Sequence, residues 1–238
     1  MTAMLASVID IAEAETALAL GADVIDLKDP AAGALGALPR ATIAQIVDDL
    51  AGRRLVSATV GDLPMTPAPL TAAVIATAGT GVDFVKVGLF EHRHRRDCIA
   101  ALASVARKAR LVGVFFADQG LDLSLLDALA DAGFAGAMLD TAAKHSGGLR
   151  THLSHRGLSA FVRRAQSIGL ITGLAGSLKL DDIAPLANLR PTYLGFRTAL
   201  CRGGARTAPL DAQAFGVVRA RLTDCTETKE YEPTRGRR

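Results

Sequence analysis

The length and composition of the chain exclude several classes of protein. It has 238 residues, of which 50% are hydrophobic and 21% are charged. These values rule out a disordered, collagen-like or coiled-coil protein and provide enough apolar residues for one large core. The net charge of +3 is too small to predict nucleic-acid binding, so small anions are the expected partners.

The expected location follows from three absences in the sequence. No apolar run approaches the roughly 18 to 20 residues of a membrane span. The first residues lack the positively charged lead of a signal peptide. The three cysteines are odd in number and far apart, which is typical of free thiols in a reducing compartment. We therefore expect a cytoplasmic protein that does not contact a membrane.

Short apolar segments alternate with amphipathic ones along the chain. Taken in chain order, the predicted strands are 5–9, 24–28, 55–60, 84–89, 111–116, 137–140, 170–175 and 193–197. The predicted helices are 11–20, 41–51, 68–80, 94–108, 123–132, 158–168, 180–187 and 211–222. Eight βα units of this size predict the α/β class and a single-domain (β/α)₈ TIM barrel over residues 1–222. The polar residues 223–238 are predicted to form a mobile tail.

Lysine is rare in this chain, so each lysine needs its own explanation. Only six of the 27 cationic residues are lysines. Because side chains alternate along a strand, Asp26 and Lys28 share the inward face of the second strand, and Lys86 faces inward from the fourth. Asp140 ends the sixth strand, and Lys144 follows in the loop. Even-numbered strands contribute to one interior layer, so we expect Lys28, Lys86 and Asp140 around one mouth, with Asp26 beneath and Lys144 at the rim.

Two readings of this cluster remain open. The residues either form buried structural ion pairs or perform chemistry on a carbonyl group. A protonated lysine cannot attack a carbonyl, whereas a second cation and partial desolvation favour the neutral amine. Three lysines at strand ends favour the second reading, with the aspartates holding an ammonium group or moving protons.

The loops after the seventh and eighth strands predict a phosphate site. These loops bind phosphate in many barrels, through backbone N–H groups and arginines. The candidate residues are Gly176, Ser177, Arg197, Arg202, Gly203, Gly204 and Arg206. The inward hydroxyls of Ser57 and Thr59, on the third strand, either orient a substrate or fill the interior, and the sequence leaves both possibilities open.

The sequence does not predict a metal or a nucleotide cofactor. The run His92–Arg96 (HRHRR) has no metal-ligand spacing, and its arginines repel cations. It lies after the fourth strand, where it would help to collect an anionic substrate. Neither of the glycine-rich nucleotide motifs, GxxxxGK[ST] and GxGxxG, is present. We therefore expect no metal and no cofactor.

Six segments together resemble one enzyme family. They are GADVIDLKDP at 21–30, GALGA at 33–37, VSATVGD at 56–62, VKVGL at 85–89, AMLDTA at 137–142 and LAGS at 174–177. This series resembles the (5-formylfuran-3-yl)methyl phosphate synthases, also called 4-(hydroxymethyl)-2-furancarboxaldehyde-phosphate synthases. These enzymes make the furan of methanofuran and its bacterial analogue. The arginine-rich, lysine-poor composition indicates a member from a methylotrophic bacterium.

The resemblance implies a specific reaction and a set of catalytic residues. Two molecules of glyceraldehyde 3-phosphate would condense, with loss of phosphate and water, without a cofactor. Lys28 would be the Schiff-base lysine, with Asp26, Lys86, Asp140 and Lys144 as its neighbours. The resemblance also implies a homo-oligomer.

Two alternatives to this function stay open at the level of sequence, since a fold does not fix a function. One is a class I aldolase or a triose-phosphate isomerase-like enzyme. The other is a non-catalytic barrel that binds a phosphorylated ligand or serves as a subunit of a C1-transfer complex.

Overall fold

Eight parallel strands close into a barrel in which each strand pairs with its neighbours in chain order. The computed structural model describes residues 1–143 and 146–227. The strands are β1 Ala3–Val8, β2 Val24–Leu27, β3 Leu55–Thr59, β4 Phe84–Gly88, β5 Leu111–Phe116, β6 Gly136–Asp140, β7 Ile171–Leu174 and β8 Tyr193–Phe196. The predicted TIM barrel is therefore confirmed, and every predicted strand is present.

The helices follow the strands and cover the outside of the barrel. They are α1 Ile11–Ala19, α2 Arg40–Leu50, α3 Pro67–Ala78, α4 Arg95–Ala106, α5 Ser124–Asp131, α6 Leu149–His152, α7 His155–Ser167, α8 Leu180–Ala187 and α9 Ala212–Glu227. The short α6 was not predicted. The last helix continues past residue 222 through the first part of the predicted tail, and residues 228–238 lie outside the described residues.

Local signals explain where the helices begin and turn into strands. The Asp10 side chain caps α1 by accepting a hydrogen bond from the backbone N–H of Glu13 at 2.8 Å, as N-cap residues do. Pro67 occupies the first turn of α3, where its missing N–H has no consequence. Gly21 follows α1 with φ of +85°, a conformation that glycine adopts without a steric penalty and that leads into β2.

The alternation of side chains divides the core into two parts. Ile25, Leu27 and Val85 pack outward in the layer between strands and helices. Leu5, Val114 and other residues fill a separate cluster inside the barrel. This is the pattern expected when both faces of a parallel sheet are buried. Within the described part of the chain, no helix has the length and hydrophobicity of a membrane span.

A close contact inside the barrel gives the first testable prediction. A Cβ added to Gly173 would lie 2.4 Å from ring carbons of Tyr193. This ring is buried, and its hydroxyl donates to the Met138 sulfur at 3.5 Å. We expect Gly173→Ala to lower the free energy of unfolding by about 1–3 kcal/mol, because over-packing displaces buried side chains.

Gly216 provides the matched control for this substitution. It lies in α9, and an added Cβ would have nothing within 4 Å. Gly216→Ala should raise the free energy of unfolding by up to about 1 kcal/mol, since alanine is the better helix former. Urea denaturation of both variants measures the difference, and equal effects at the two positions would contradict the packing argument.

Candidate active site

Four of the predicted residues come together inside the barrel as two ion pairs. Lys28 follows the end of β2, and its Nζ lies 3.7 Å from Oδ2 of Asp140 at the end of β6. The Nζ of Lys86 on β4 lies 2.8 Å from Oδ1 of Asp26 on β2. All four residues are buried. Isolated buried charges are costly, so each pair compensates for the burial of its members.

The two pairs occupy different depths. Lys28 and Asp140 line the cavity at the C-terminal end of the barrel. Asp26 lies two residues before Lys28, opposite Ser7 and Ser57 in the strand register. The sequence predicts Lys86 at the mouth beside Lys28, whereas in the structure it lies with Asp26 one layer deeper. The reason is the stagger of the closed barrel: Lys86 lies two residues before the strand end at Gly88, and its Nζ contacts Asp26.

Two serines and the lysines hold the deeper carboxylate. Ser7 Oγ donates to Oδ2 of Asp26 at 2.9 Å, and Ser57 Oγ donates to Oδ1 at 2.6 Å. Burial alone would raise the pKa of Asp26. The charges of Lys86 and Lys28 and the hydrogen bonds from Lys86 and Ser57 outweigh burial, so this pKa lies below its ordinary value. Asp26 is therefore a carboxylate at neutral pH.

The surroundings of Lys86 favour its neutral amine over the charged ammonium group. Burial is the largest influence and lowers the pKa of Lys86 below its ordinary value, although the charge of Asp26 favours protonation. The positive charge of Lys28 acts in the same direction as burial. The Lys86 ammonium also lies 5.8 Å from the centroid of the Tyr193 ring. A buried lysine with a lowered pKa is suited to giving and taking protons.

The loop after β7 contributes two residues to the wall of the same cavity. Gly176 and Ser177 line it and have φ values of +104° and +49°. Among the described residues, the backbone N–H groups of these two residues have no protein acceptor. Gly176 is buried and Ser177 is half-buried. Since backbone donors are normally paired, these two N–H groups are candidates for binding an anion.

Arg197 lies at the cavity, but its donors are used within the protein. Its guanidinium donates to Glu13, to the carbonyl of Ser7 at 3.2 Å, and to the carbonyls of Arg206 at 2.8 Å and Ala208 at 2.9 Å. Both oxygens of Glu13 accept, so all five N–H donors of the side chain are occupied. Arg197 therefore forms a buried ion pair with Glu13 and has no unused donor for a phosphate.

The remaining predicted phosphate residues are not all brought together. Thr59 Oγ1 donates to the carbonyl of Gly36 at 2.9 Å, which fixes the loop after β2. Arg202, Gly203 and Gly204 are exposed and do not line the cavity. The N–H of Gly204 donates to the carbonyl of Cys201 at 3.0 Å.

Sequence reasoning missed two aspartates that hold the loops around the site. Asp62 accepts hydrogen bonds from the N–H groups of Ala34 and Leu35 at 2.7 and 2.8 Å. Asp118 accepts from the two residues at 142–143 at 2.8 and 2.7 Å. Lys144, which follows them, lies outside the described residues. Asp62 belongs to the quoted motif VSATVGD, but nothing in the sequence shows which backbone donors a carboxylate will meet.

The basic segment 92–96 lies on the surface at the start of α4. His94 Nδ1 contacts Oδ2 of Asp97 at 2.8 Å, and both side chains are exposed. In the described part of the chain, no three His, Cys, Asp or Glu side chains converge as metal ligands would.

A second cavity opens at the N-terminal end of the barrel. It measures about 290 Å³ and is lined mainly by apolar residues, among them Val24, Phe84 and Tyr193, with Lys86 at its wall. We assign the active site to the C-terminal end, because polar groups from several strands converge there and barrel enzymes use that end.

Comparison with known proteins decides the family. The family model described as 4-HFC-P synthase matches residues 4–219. The chain belongs to the 4-HFC-P synthase family. A Methylorubrum extorquens protein provisionally named (5-formylfuran-3-yl)methyl phosphate synthase is 44% identical over 212 residues, covering 87% of this chain and 88% of that protein. The synthase of that name from Methanocaldococcus jannaschii is 36% identical over 215 residues, covering 85% and 92%. As a member of this family, the chain is an enzyme.

Solved structures support the fold alone. Phosphoribosyl anthranilate isomerase from Thermotoga maritima aligns with a TM-score of 0.69 at 11% identity, covering 94% of this chain and 100% of that chain. A 3-keto-L-gulonate-6-phosphate decarboxylase from Vibrio cholerae aligns with a TM-score of 0.66 at 14% identity, covering 94% and 98%. Fold similarity at this level of identity does not transfer an activity.

Proposed function

We propose that this 4-HFC-P synthase family member condenses two molecules of glyceraldehyde 3-phosphate to (5-formylfuran-3-yl)methyl phosphate through a Schiff base on Lys28. The observation that carries this proposal is the position of Lys28. Its amine lies at the C-terminal mouth of the barrel, 3.7 Å from the Asp140 carboxylate. The relatives named for this product support the choice of product.

The overall reaction balances without an oxidant or a reductant. Two triose phosphates yield one furan phosphate, one inorganic phosphate and two water molecules. No redox cofactor is therefore required. The reaction is of the lyase type, because the C–O bonds of one phosphate ester and of hydroxyl groups are broken by elimination.

The site supplies a nucleophile and groups for proton transfer. The Lys28 amine forms a carbinolamine with the first aldehyde, and loss of water gives the imine. Asp140 lies within reach of this nitrogen and can take and return its protons. Lys86 and the carboxylate of Asp26 lie one layer deeper in the barrel than Lys28. From there they would remove a proton from the carbon next to the imine. Lys144, four residues after Asp140, is proposed as a further proton donor from the sequence alone.

The phosphate of the substrate requires donors near this amine. The free N–H groups of Gly176 and Ser177 lie in the wall that also contains Lys28. Backbone N–H groups in left-handed turns form concave anion sites. They would hold the phosphate while the carbonyl carbon lies against Lys28. We also propose a cytoplasmic homo-oligomer that supplies the furan of a methanofuran analogue.

The experiment is to incubate the purified protein with glyceraldehyde 3-phosphate and to follow near-ultraviolet absorbance and released phosphate together. We expect both signals to rise in a ratio of one furan to one phosphate, and Lys28→Ala protein prepared identically to give neither. A new sugar phosphate without absorbance would indicate an aldolase or an isomerase. A rise in melting temperature with phosphate ligands, without consumption of the triose, would indicate a binding protein. Either result would contradict the proposal.

A further inference from the structure

Arg206 occupies an unusual position in the loop after β8. It lines the same cavity as Lys28, Asp140 and Ser177. Its Nη2 donates to the backbone carbonyl of Gly33 at 3.0 Å. Since Gly33 lies in the loop after β2, the side chain of Arg206 spans the mouth from one loop to the other.

The guanidinium of Arg206 has unused N–H donors. Among the described residues, the Gly33 carbonyl is its one hydrogen-bond acceptor, whereas a guanidinium carries five N–H donors. The contrast with Arg197 is direct, since every donor of Arg197 is used within the protein. Of the two arginines in the cavity wall, Arg206 is therefore the one with the capacity to bind an anion.

A buried ion pair fixes the backbone that carries Arg206. The carbonyls of Arg206 and Ala208 both accept from Arg197. Glu13, which pairs with Arg197, also accepts from the N–H of Leu210 at 3.2 Å. Arg197 and Glu13 are 7% exposed each. The loop is thus attached to α1 and to the end of β8 at several points, which limits where the Arg206 side chain can reach.

The cavity that Arg206 lines is smaller than a triose phosphate. It measures about 30 Å³, which is room for little more than one water molecule. Arg206 forms part of its wall, so this side chain has to shift when a triose phosphate enters, and its bond to the Gly33 carbonyl can then be exchanged. A phosphate oxygen is a stronger acceptor for a guanidinium than a neutral carbonyl, because the bond is charge-assisted.

We propose that Arg206 binds the phosphate of the substrate in exchange for the Gly33 carbonyl, and that the Glu13–Arg197 pair is the positioning element for Arg206. This inference deepens the proposed function and rests on it for the identity of the substrate. It assigns selectivity for a phosphorylated aldehyde to a residue outside the lysine and aspartate cluster.

The test measures binding of glycerol 3-phosphate by calorimetry. This probe has the triose phosphate skeleton but no carbonyl, so it cannot form an imine. We expect Arg206→Gln to weaken binding by at least about tenfold and Arg206→Lys to weaken it less, since one charge-assisted bond to phosphate is retained. Arg221→Gln, which removes an exposed charge from α9, should stay within about twofold of the wild type.

Two results would overturn the assignment. One is binding by Arg206→Gln within about twofold of the wild type. The other is a larger loss with Arg202→Gln, which removes the exposed arginine of the same loop. Because the probe does not react, failure of the condensation assay with intact Arg206-dependent binding would refute the proposed reaction and leave the phosphate site standing.

A separate experiment tests whether the Glu13–Arg197 pair positions Arg206. Arg197→Lys keeps the positive charge but replaces the planar guanidinium, with its five N–H donors, by an ammonium group. We expect glycerol 3-phosphate to bind this variant more weakly, and the Arg197→Lys/Arg206→Gln double variant to bind no more weakly than Arg206→Gln alone. A purely structural role would give additive losses or none, and either would contradict the positioning claim. If Arg197→Lys does not fold by circular dichroism, Glu13→Gln, which keeps one acceptor oxygen, replaces it in the same cycle.

Discussion

Lys28→Arg should lose turnover by at least about 10³-fold, the scale on which removal of a covalent nucleophile acts. Arginine keeps the positive charge beside Asp140 but stays protonated, so it cannot add to an aldehyde. A residue needed only for charge would tolerate this change. The measurement is the rate of furan formation from glyceraldehyde 3-phosphate at saturating substrate, with Lys28→Ala assayed in parallel.

The control for Lys28→Arg is the same substitution at an exposed lysine. Lys108 lies on the surface after α4, and Lys108→Arg should leave the rate within about twofold of the wild type, since exposed charges contribute little. Folding of each variant is checked by circular dichroism and thermal denaturation. A folded Lys28→Arg variant that keeps more than about a tenth of the wild-type rate would show that Lys28 is not the nucleophile.

The Asp26–Lys86 pair should contribute to both stability and catalysis. Lys86→Met leaves the Asp26 carboxylate buried without its closest cation, and Asp26→Asn leaves the ammonium without its carboxylate. Removing one member of a buried pair typically costs about 3–5 kcal/mol in the free energy of unfolding. We also expect turnover to fall by about 10²- to 10⁴-fold in each variant, as for loss of a general acid or base.

The double variant Asp26→Asn/Lys86→Met separates the two contributions. It removes both charges and keeps side chains of similar size, so most of the lost stability should return. Turnover should not return, because no group replaces the proton transfer of Lys86. Urea denaturation and the furan assay give the two quantities. Recovery of activity along with stability would show that the pair is structural.

The fold was largely predictable because its determinants are local and repeated. Each βα unit carries its own apolar strand and amphipathic helix, and glycines such as Gly21 mark the boundaries. Eight such units leave few architectures. The short helix α6 and the last part of α9 were not predicted, because neither carries a clear apolar period of its own.

The cluster of two lysines and two aspartates was predictable for a related reason. Side-chain alternation along parallel strands fixes which residues face inward, and this placed Asp26, Lys28, Lys86 and Asp140 together. The depth of Lys86 was not predictable, because the relative level of two residues depends on the stagger of the closed barrel. The sequence carries no direct signal for that quantity.

The proposed phosphate site was the least predictable part. Arg197 and Arg206 are similar in the sequence, since both follow β8 in a glycine-rich loop. What distinguishes them is Glu13, which is distant in the chain and meets Arg197 only when β8 closes against β1. Long-range pairing of this kind decides which arginine has unused donors, and no local pattern reveals it.

The central claim is that the amine of Lys28 forms a covalent imine with a triose phosphate. The most direct measurement is reduction of the enzyme–substrate mixture with borohydride, followed by digestion and mass spectrometry of the modified peptide. We predict one added triose phosphate group on Lys28, in a reaction that requires both substrate and borohydride. An adduct on Lys86 with Lys28 unmodified, or labelling that persists at full level in Lys28→Ala, would contradict the mechanism.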